Sequence, residues 1–232
     1  MSLLSLGNSQ IDDILGGGID EGACTILVGQ PGSGKTTLAL QFISNPLALT
    51  RGGKAAYLCI DKRPECILEK AISLNPIVND HIANGCLKFL EISIQDWEPD
   101  QPVNDLLLSI QLQVDAFYRN FNPNRIIIDS LLPHALACCS REKKQYFIRE
   151  FLQIIHAYPI TSIGLLYDHQ VFRSLWLDIH IVSDQLIFKS TFEHDYVTYW
   201  LDVSKNKPSN RSGTYRFTFN SQKGIELKHR LC

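Results

Sequence analysis

The sequence predicts an α/β fold: a mostly parallel central sheet flanked by helices, with antiparallel strands toward the C-terminus. Three observations carry this reading. Short apolar runs rich in β-branched residues alternate with segments of helical period from about residue 23 to residue 166. One strand–helix junction holds Gly29-Gln30-Pro31-Gly32-Ser33-Gly34-Lys35-Thr36. From residue 178 the pattern changes to short alternating runs, which read as antiparallel strands and hairpins.

The elements follow in order. Residues 9–15 form a short helix, stopped by Gly16-Gly17-Gly18. Residues 23–28 are a short apolar run and read as a buried strand. A helix is predicted from 35 to about 48, with apolar residues at helical spacing. Arg51-Gly52-Gly53 reads as a turn, and a second strand spans about 54–60 and ends at Asp61. Pro64 suits the first turn of a helix reaching about Ser73, and Asn75-Pro76 breaks it. A short strand is predicted at 87–91. Residues 96–102 hold three acids and two prolines and read as a loop. A long amphipathic helix spans about 103–120, a strand 125–129, a helix about 141–157 and a strand 160–166. No repeat, low-complexity tract or Gly/Ser linker interrupts the chain, so one domain over residues 1–232 is the simplest organisation.

Composition narrows the function classes. The chain has 232 residues, 45% hydrophobic and 20% charged, an ordinary globular balance. Its formal net charge of −2 supplies no overall field to attract a phosphate backbone, which disfavours a protein built mainly to hold nucleic acid. No apolar run approaches the roughly 20 residues needed to span a bilayer. Residues 1–6 lack a basic n-region and a sustained apolar h-region, so a secretory signal is not expected. The seven cysteines include no C-x-x-C pair and read as reduced thiols. Together these features lead us to expect a cytoplasmic protein without a membrane anchor.

The 29–36 stretch has the form G-x-x-x-x-G-K-T, a phosphate-binding P-loop. Its glycines let successive backbone N–H groups point inward and cradle anionic oxygens. Lys35 adds a point charge for the β- and γ-phosphates, and the Thr36 hydroxyl is the expected first ligand for Mg²⁺. The phosphates would rest on the N-terminus of the helix that opens with Lys35, Thr36 and Thr37. Gly29 to Thr37 are therefore the candidate nucleotide-binding residues.

Arg125-Ile126-Ile127-Ile128-Asp129 has the form of a Walker B strand, buried on both faces with a carboxylate at its C-terminal edge. Open α/β sheets bind ligands at that edge. Asp129 is thus the second candidate metal ligand, holding Mg²⁺ usually through water; the competing role is an N-capping Asp. Asp61 and the segment Tyr167-Asp168-His169-Gln170 end two further strands. In a parallel sheet those ends face the same rim.

These residues resemble a family. Ile11-Asp12-Asp13-Ile14-Leu15-Gly16-Gly17-Gly18-Ile19-Asp20-Glu21-Gly22, followed by the P-loop, looks like the opening of KaiC-like and RadA-like ATPases of the RecA superfamily. Residues 125–131, 181–187, 201–207 and 217–227 continue the likeness over nearly the whole chain. The resemblance implies a RecA-like P-loop core, ATP with Mg²⁺ as cofactors, and a homo-oligomeric ring, commonly a hexamer, with nucleotide between subunits. It also implies that Lys205 and Lys207 reach a neighbour's γ-phosphate. Such cations stabilise charge that develops in phosphoryl transfer.

Two departures stand out. The family usually ends its second strand with two glutamates, one of which polarises the attacking water. Here Asp61-Lys62 stands in their place. Asp is one methylene shorter, so the carboxylate falls short by somewhat more than about 1 Å on an unchanged backbone. Misplacement on that scale costs on the order of 100-fold in rate. Lys207 replaces an arginine and cannot make a bidentate fork. The expectation is a slow ATPase acting as a nucleotide-dependent oligomeric switch. The alternatives are a nucleotide-gated scaffold without catalysis and a recombinase-like protein that binds single-stranded DNA. Arg141, Lys143 and Lys144 are candidate phosphate contacts for the last of these, or simply a solvated helix start. Trp97, Trp176 and Trp200 are candidates for a partner surface, or partly buried core.

Overall fold

The computed structural model describes residues 2–45, 52–60, 62–94, 97–167, 182–193, 196–203, 213–220 and 224–230. The strands β3 (Cys24–Gly29), β4 (Ala55–Ile60), β5 (Leu87–Ile92), β6 (Arg125–Asp129) and β7 (Thr161–Leu166) all run parallel. They join β8 (Val182–Glu193), β9 (Tyr196–Val203), β10 (Gly213–Asn220) and β11 (Gly224–Arg230) in one sheet of order β11-β10-β9-β8-β3-β7-β6-β4-β5.

Residue type explains why these segments are strands. Ile126 and Ile128 pack on one face of the sheet and Ile127 on the other, so three consecutive isoleucines are all buried. A run that must be apolar on both faces is the mark of a parallel strand covered by helices. One face carries α5 (Val103–Phe121) and α6 (Arg141–His156), through Leu106, Ile110, Val114, Phe147 and Phe151. The opposite face carries α2 (Lys35–Ser44) and α3 (Pro64–Leu74), through Leu38, Phe42, Ile43 and Ala71. Pro64 opens α3 as expected, where its missing N–H costs nothing. Ser140 caps α6 by accepting the Lys143 backbone N–H.

Three local features differ from the expectation. A short helix α4 (Val78–Ala83) lies where the sequence offered only a break. Six residues are too few to show a helical period. The β8 strand pairs antiparallel with β9, as the change in pattern predicts, but its other edge pairs parallel with β3, which the pattern did not reveal. Leu3–Leu4 (β1) and Ile19–Asp20 (β2) pair antiparallel, with α1 (Ser9–Ile14) between them.

That last feature explains the glycine triplet. Gly18 has φ of +128°, and a Cβ there would lie 2.3 Å from the Leu4 carbonyl oxygen. Only glycine lets the chain return so close to β1. The leader is then pinned to the far end of the chain. The Asn8 side chain caps α1 through Ile11 N and donates to the Ile225 carbonyl at 2.6 Å. Gln10 accepts from Leu227 N at 2.8 Å.

Candidate functional site

The strand order builds the site. The β7 strand lies between β3 and β6, and β4 lies on the other side of β6. The phosphate loop after β3, Tyr167 after β7, Asp129 at the end of β6 and Lys62 after β4 therefore line up on one rim. Neighbouring strands are about 4.8 Å apart, so β3 and β6 are separated by roughly 10 Å, with β7 between them.

The loop itself is formed. Gly32 and Gly34 have φ of +78° and +108°, which non-glycine residues rarely adopt. Gly34 is the N-cap of α2 and carries no side-chain cap, so the first N–H groups of that helix have no capping oxygen. The Lys35 ammonium folds back on the loop. It donates to Gly29 O at 2.7 Å, Gln30 O at 2.8 Å and Ser33 Oγ at 3.3 Å. Burial pulls the Lys35 pKa down to about 8; Asp129 opposes this and Lys62 and Lys70 reinforce it. A cavity of about 130 Å³ opens over the loop, bounded by Gly32, Gly34, Lys35, Thr36 and Thr37 and closed by Lys70, Tyr167 and Phe219. A larger cleft of about 860 Å³ lies at the other end of α2, near Asn8, Asn45 and Asn75.

Asp129 is almost fully buried and accepts from three donors. Tyr57 Oη donates to Oδ2 at 2.6 Å, Tyr167 Oη to Oδ1 at 2.7 Å and Lys62 Nζ to Oδ1 at 2.6 Å. Lys62 also donates to Tyr167 Oη at 2.8 Å, and the ammonium lies 4.4 Å from the Tyr167 ring centroid. Lys35 approaches the same ring at 4.5 Å. Thr36 and Tyr167 line the same small cavity. Burial first, and then the charge of Asp129, push both phenols well above the usual tyrosine range. Both therefore remain donors at neutral pH.

The structure thus brings Thr36 and Asp129, the two expected metal ligands, to either side of Tyr167. Mg²⁺ needs oxygen ligands in near-octahedral array. Here both oxygens of Asp129 are engaged by donors, and one of those donors is a cation. As built, these residues do not fit Mg²⁺ ligated directly by Asp129. The loop does fit a polyphosphate, because its glycine cradle, helix N-terminus and lysine converge on one small cavity.

Sequence reasoning missed Tyr57, Lys70 and Phe219. Lys70 projects from α3, and burial lowers its pKa against the pull of Asp129. Phe219 on β10 packs its ring against Gly34, where a Cβ would meet it at 3.2 Å. Asp61, Asp168, His169, Gln170, Lys205, Lys207 and Trp176 lie outside the described residues. Trp97 is largely buried, and its indole N–H donates to Pro102 O. The Trp200 indole bonds to Thr191 Oγ1. Lys143 donates to Pro99 O and Gln101 O, and Lys144 to Ala137 O, so both tie down loops beside α6. Among the described residues no helix is long and apolar enough to cross a membrane.

Fold and rim define the class: an α/β protein with a P-loop core of the RecA type. The model of the KaiC ATPase family matches residues 5–228, and the chain belongs to that family. It is 26% identical over 147 residues to the circadian clock protein KaiC2 of Synechocystis, and that match covers 63% of this chain and 24% of KaiC2. It is 33% identical over 131 residues to the DNA repair and recombination protein RadB of Methanosphaera stadtmanae, covering 56% of this chain and 51% of RadB. The matched parts thus span about half or less of these relatives' own length. The crystal structure of a KaiC-like protein from Pyrococcus horikoshii superposes with a TM-score of 0.76 at 18% identity, covering 98% of this chain and 99% of that one. At that identity the superposition speaks for the fold alone.

Proposed function

We propose that the chain binds ATP at Gly29–Thr37 and hydrolyses it slowly, acting as a nucleotide-dependent oligomeric switch in regulation or signalling. The observation that carries this is the formed phosphate loop at the start of α2, with Lys35 and the buried Asp129 cluster on the same rim. On this reading Asp61 polarises water, and Lys205 and Lys207 reach a neighbouring subunit's γ-phosphate. Slow turnover is supported by Asp61-Lys62 at the place of a glutamate pair and by Lys62 being bonded to Asp129. Steady-state turnover of the purified protein, with Lys35→Ala as blank, should stay under about 1 s⁻¹, the low end of ordinary enzymes. A faster, mutation-sensitive rate would sink the slow-switch reading. A rate equal to the blank would favour the scaffold without catalysis.

The likeness to RadB favours one second reading, a protein that binds single-stranded DNA. Its mark would be binding that weakens steeply with salt.

The Lys35 environment adds a pH dependence. Below about pH 8 the free ammonium is charged and meets the phosphates without a proton change. Above it the free protein holds a neutral amine, and binding must take up a proton. ATP affinity is therefore expected to be flat up to about pH 7 and to fall above about pH 8, approaching tenfold per pH unit. Calorimetric titration in two buffers of different ionisation enthalpy checks this. Equal proton uptake at neutral and alkaline pH would contradict it.

A further inference from the structure

We propose that the Lys62 ammonium is the resident counter-cation of Asp129, so that the phosphate loop takes metal-free nucleoside triphosphate nearly as well as its Mg²⁺ complex. The inference rests on the nucleotide-binding reading above and names the form of the ligand.

The geometry is specific. Lys62 Nζ contacts Asp129 Oδ1 at 2.6 Å while Asp129 is only about 1% exposed. The same ammonium donates to Tyr167 Oη, which itself donates to Asp129 Oδ1 and lines the loop cavity together with Thr36. Lys62 and Tyr167 thus both stand against the Asp129 carboxylate, and Tyr167 also borders the cavity that Thr36 lines. The second oxygen of Asp129 is taken by Tyr57. A metal ion seated on Asp129 would have to displace a cation already in contact, and two donors would then point at it.

Charge balance points the same way. The charges acting on Lys35 are Asp129, Lys62 and Lys70. With Lys35 itself, three ammonium groups gather near the Asp129 carboxylate. Mg²⁺ ordinarily neutralises polyphosphate in P-loop sites. Here the chain supplies positive charge from three elements: α2, the turn after β4, and α3. Lysine is suited to this, since a point charge on a flexible stem can follow a phosphate oxygen without a fixed fork. The Lys62 side chain is 36% exposed, so its ammonium can meet a phosphate oxygen from solvent while it stays on Asp129.

The test is ATP affinity by titration calorimetry, with Mg²⁺ and with EDTA, in the wild type, Lys62→Met and Lys62→Arg. For the wild type the ratio of the two dissociation constants should stay below about 5, the low end of ordinary coupling between two ligands. Lys62→Met should weaken metal-free binding and raise the ratio above about 10, while Lys62→Arg keeps it low. A wild-type ratio above about 10, or a Lys62→Met ratio equal to wild type, overturns the proposal with nucleotide binding intact. Absence of ATP binding under both conditions overturns the nucleotide-binding reading, and this proposal falls with it.

Discussion

Lys35→Ala is expected to remove ATP binding while leaving the fold in place. The ammonium sits under the cradle with three oxygens of its own loop for partners. In a complex it exchanges some of these for phosphate oxygens. Two charge-assisted hydrogen bonds at about 1.5–3 kcal/mol each correspond to a loss of about 10²- to 10⁴-fold in affinity. Stability should move little, and the sign can be worked out. The Lys35 pKa is about 8 in the folded chain against 10.5 for an ordinary lysine. Between those values the unfolded chain binds more protons, so stability rises with pH across that window. Below about pH 8 the full cost of keeping a buried charge is present, about 3 kcal/mol at neutral pH. The three hydrogen bonds recover part of it. Removing the side chain removes the cost of the buried charge together with the hydrogen bonds that oppose it, so no large loss of stability is expected. Thermal unfolding and ATP titration of the same sample check both halves. A melting temperature that collapses together with binding would show that Lys35 holds the loop, and the affinity loss could not then be assigned to phosphate contact.

Phe147→Ala should do the reverse and strike stability alone. Phe147 is fully buried on α6, its ring tilted against that of Phe151 at a centroid distance of 5.6 Å, within the cluster that includes Ile126, Ile128 and Leu106. Truncation removes the ring's burial and leaves a cavity that a tightly packed sheet–helix layer closes poorly. The expected loss is about 3–5 kcal/mol. For a domain of this size each kcal/mol lowers the melting temperature by about 2–4 °C, so the midpoint should fall by on the order of 10 °C. Phe147→Leu keeps most of the volume and should lose far less. Equal losses for the two variants would mean that the layer relaxes freely around position 147. ATP affinity of the folded fraction should not change, because Phe147 lines neither the loop cavity nor the Asp129 cluster.

What was legible in the sequence follows from how local each signal is. The phosphate loop is a contiguous pattern whose glycines are needed for their backbone angles, and it lies where the pattern put it, between β3 and α2. The run Ile126–Ile128 announced a strand covered on both faces, and Pro64 announced the first turn of α3. The surroundings of Asp129 were not legible. Tyr57, Lys62 and Tyr167 converge on it from separations of 72, 67 and 38 residues. Nothing in the local sequence of β4 or β7 says that β6 will lie between them. Lys62 did stand out, as a cation in a place where the family carries an acid, but its partner became visible only with the strand order. Lys70 reads on paper as one more solvent-facing residue of α3. Its role as a wall of the loop cavity depends on how α3 leans toward α2. The short helix α4 escaped because one and a half turns leave no period to detect.

The position of β3 also bears on how the molecule comes to be folded. Its two edges are taken by β7 and β8. The first of these begins at Thr161, 132 residues after Gly29 (161 − 29). On a ribosome adding about 5–20 residues per second, this fully buried strand waits on the order of 10 s for either neighbour. Contacts this distant in sequence also slow folding once the chain is free. During that interval Ile26, Leu27 and Val28 stand beside open backbone edges, and that is when this chain is most exposed to pairing with another copy of itself or to capture by a chaperone.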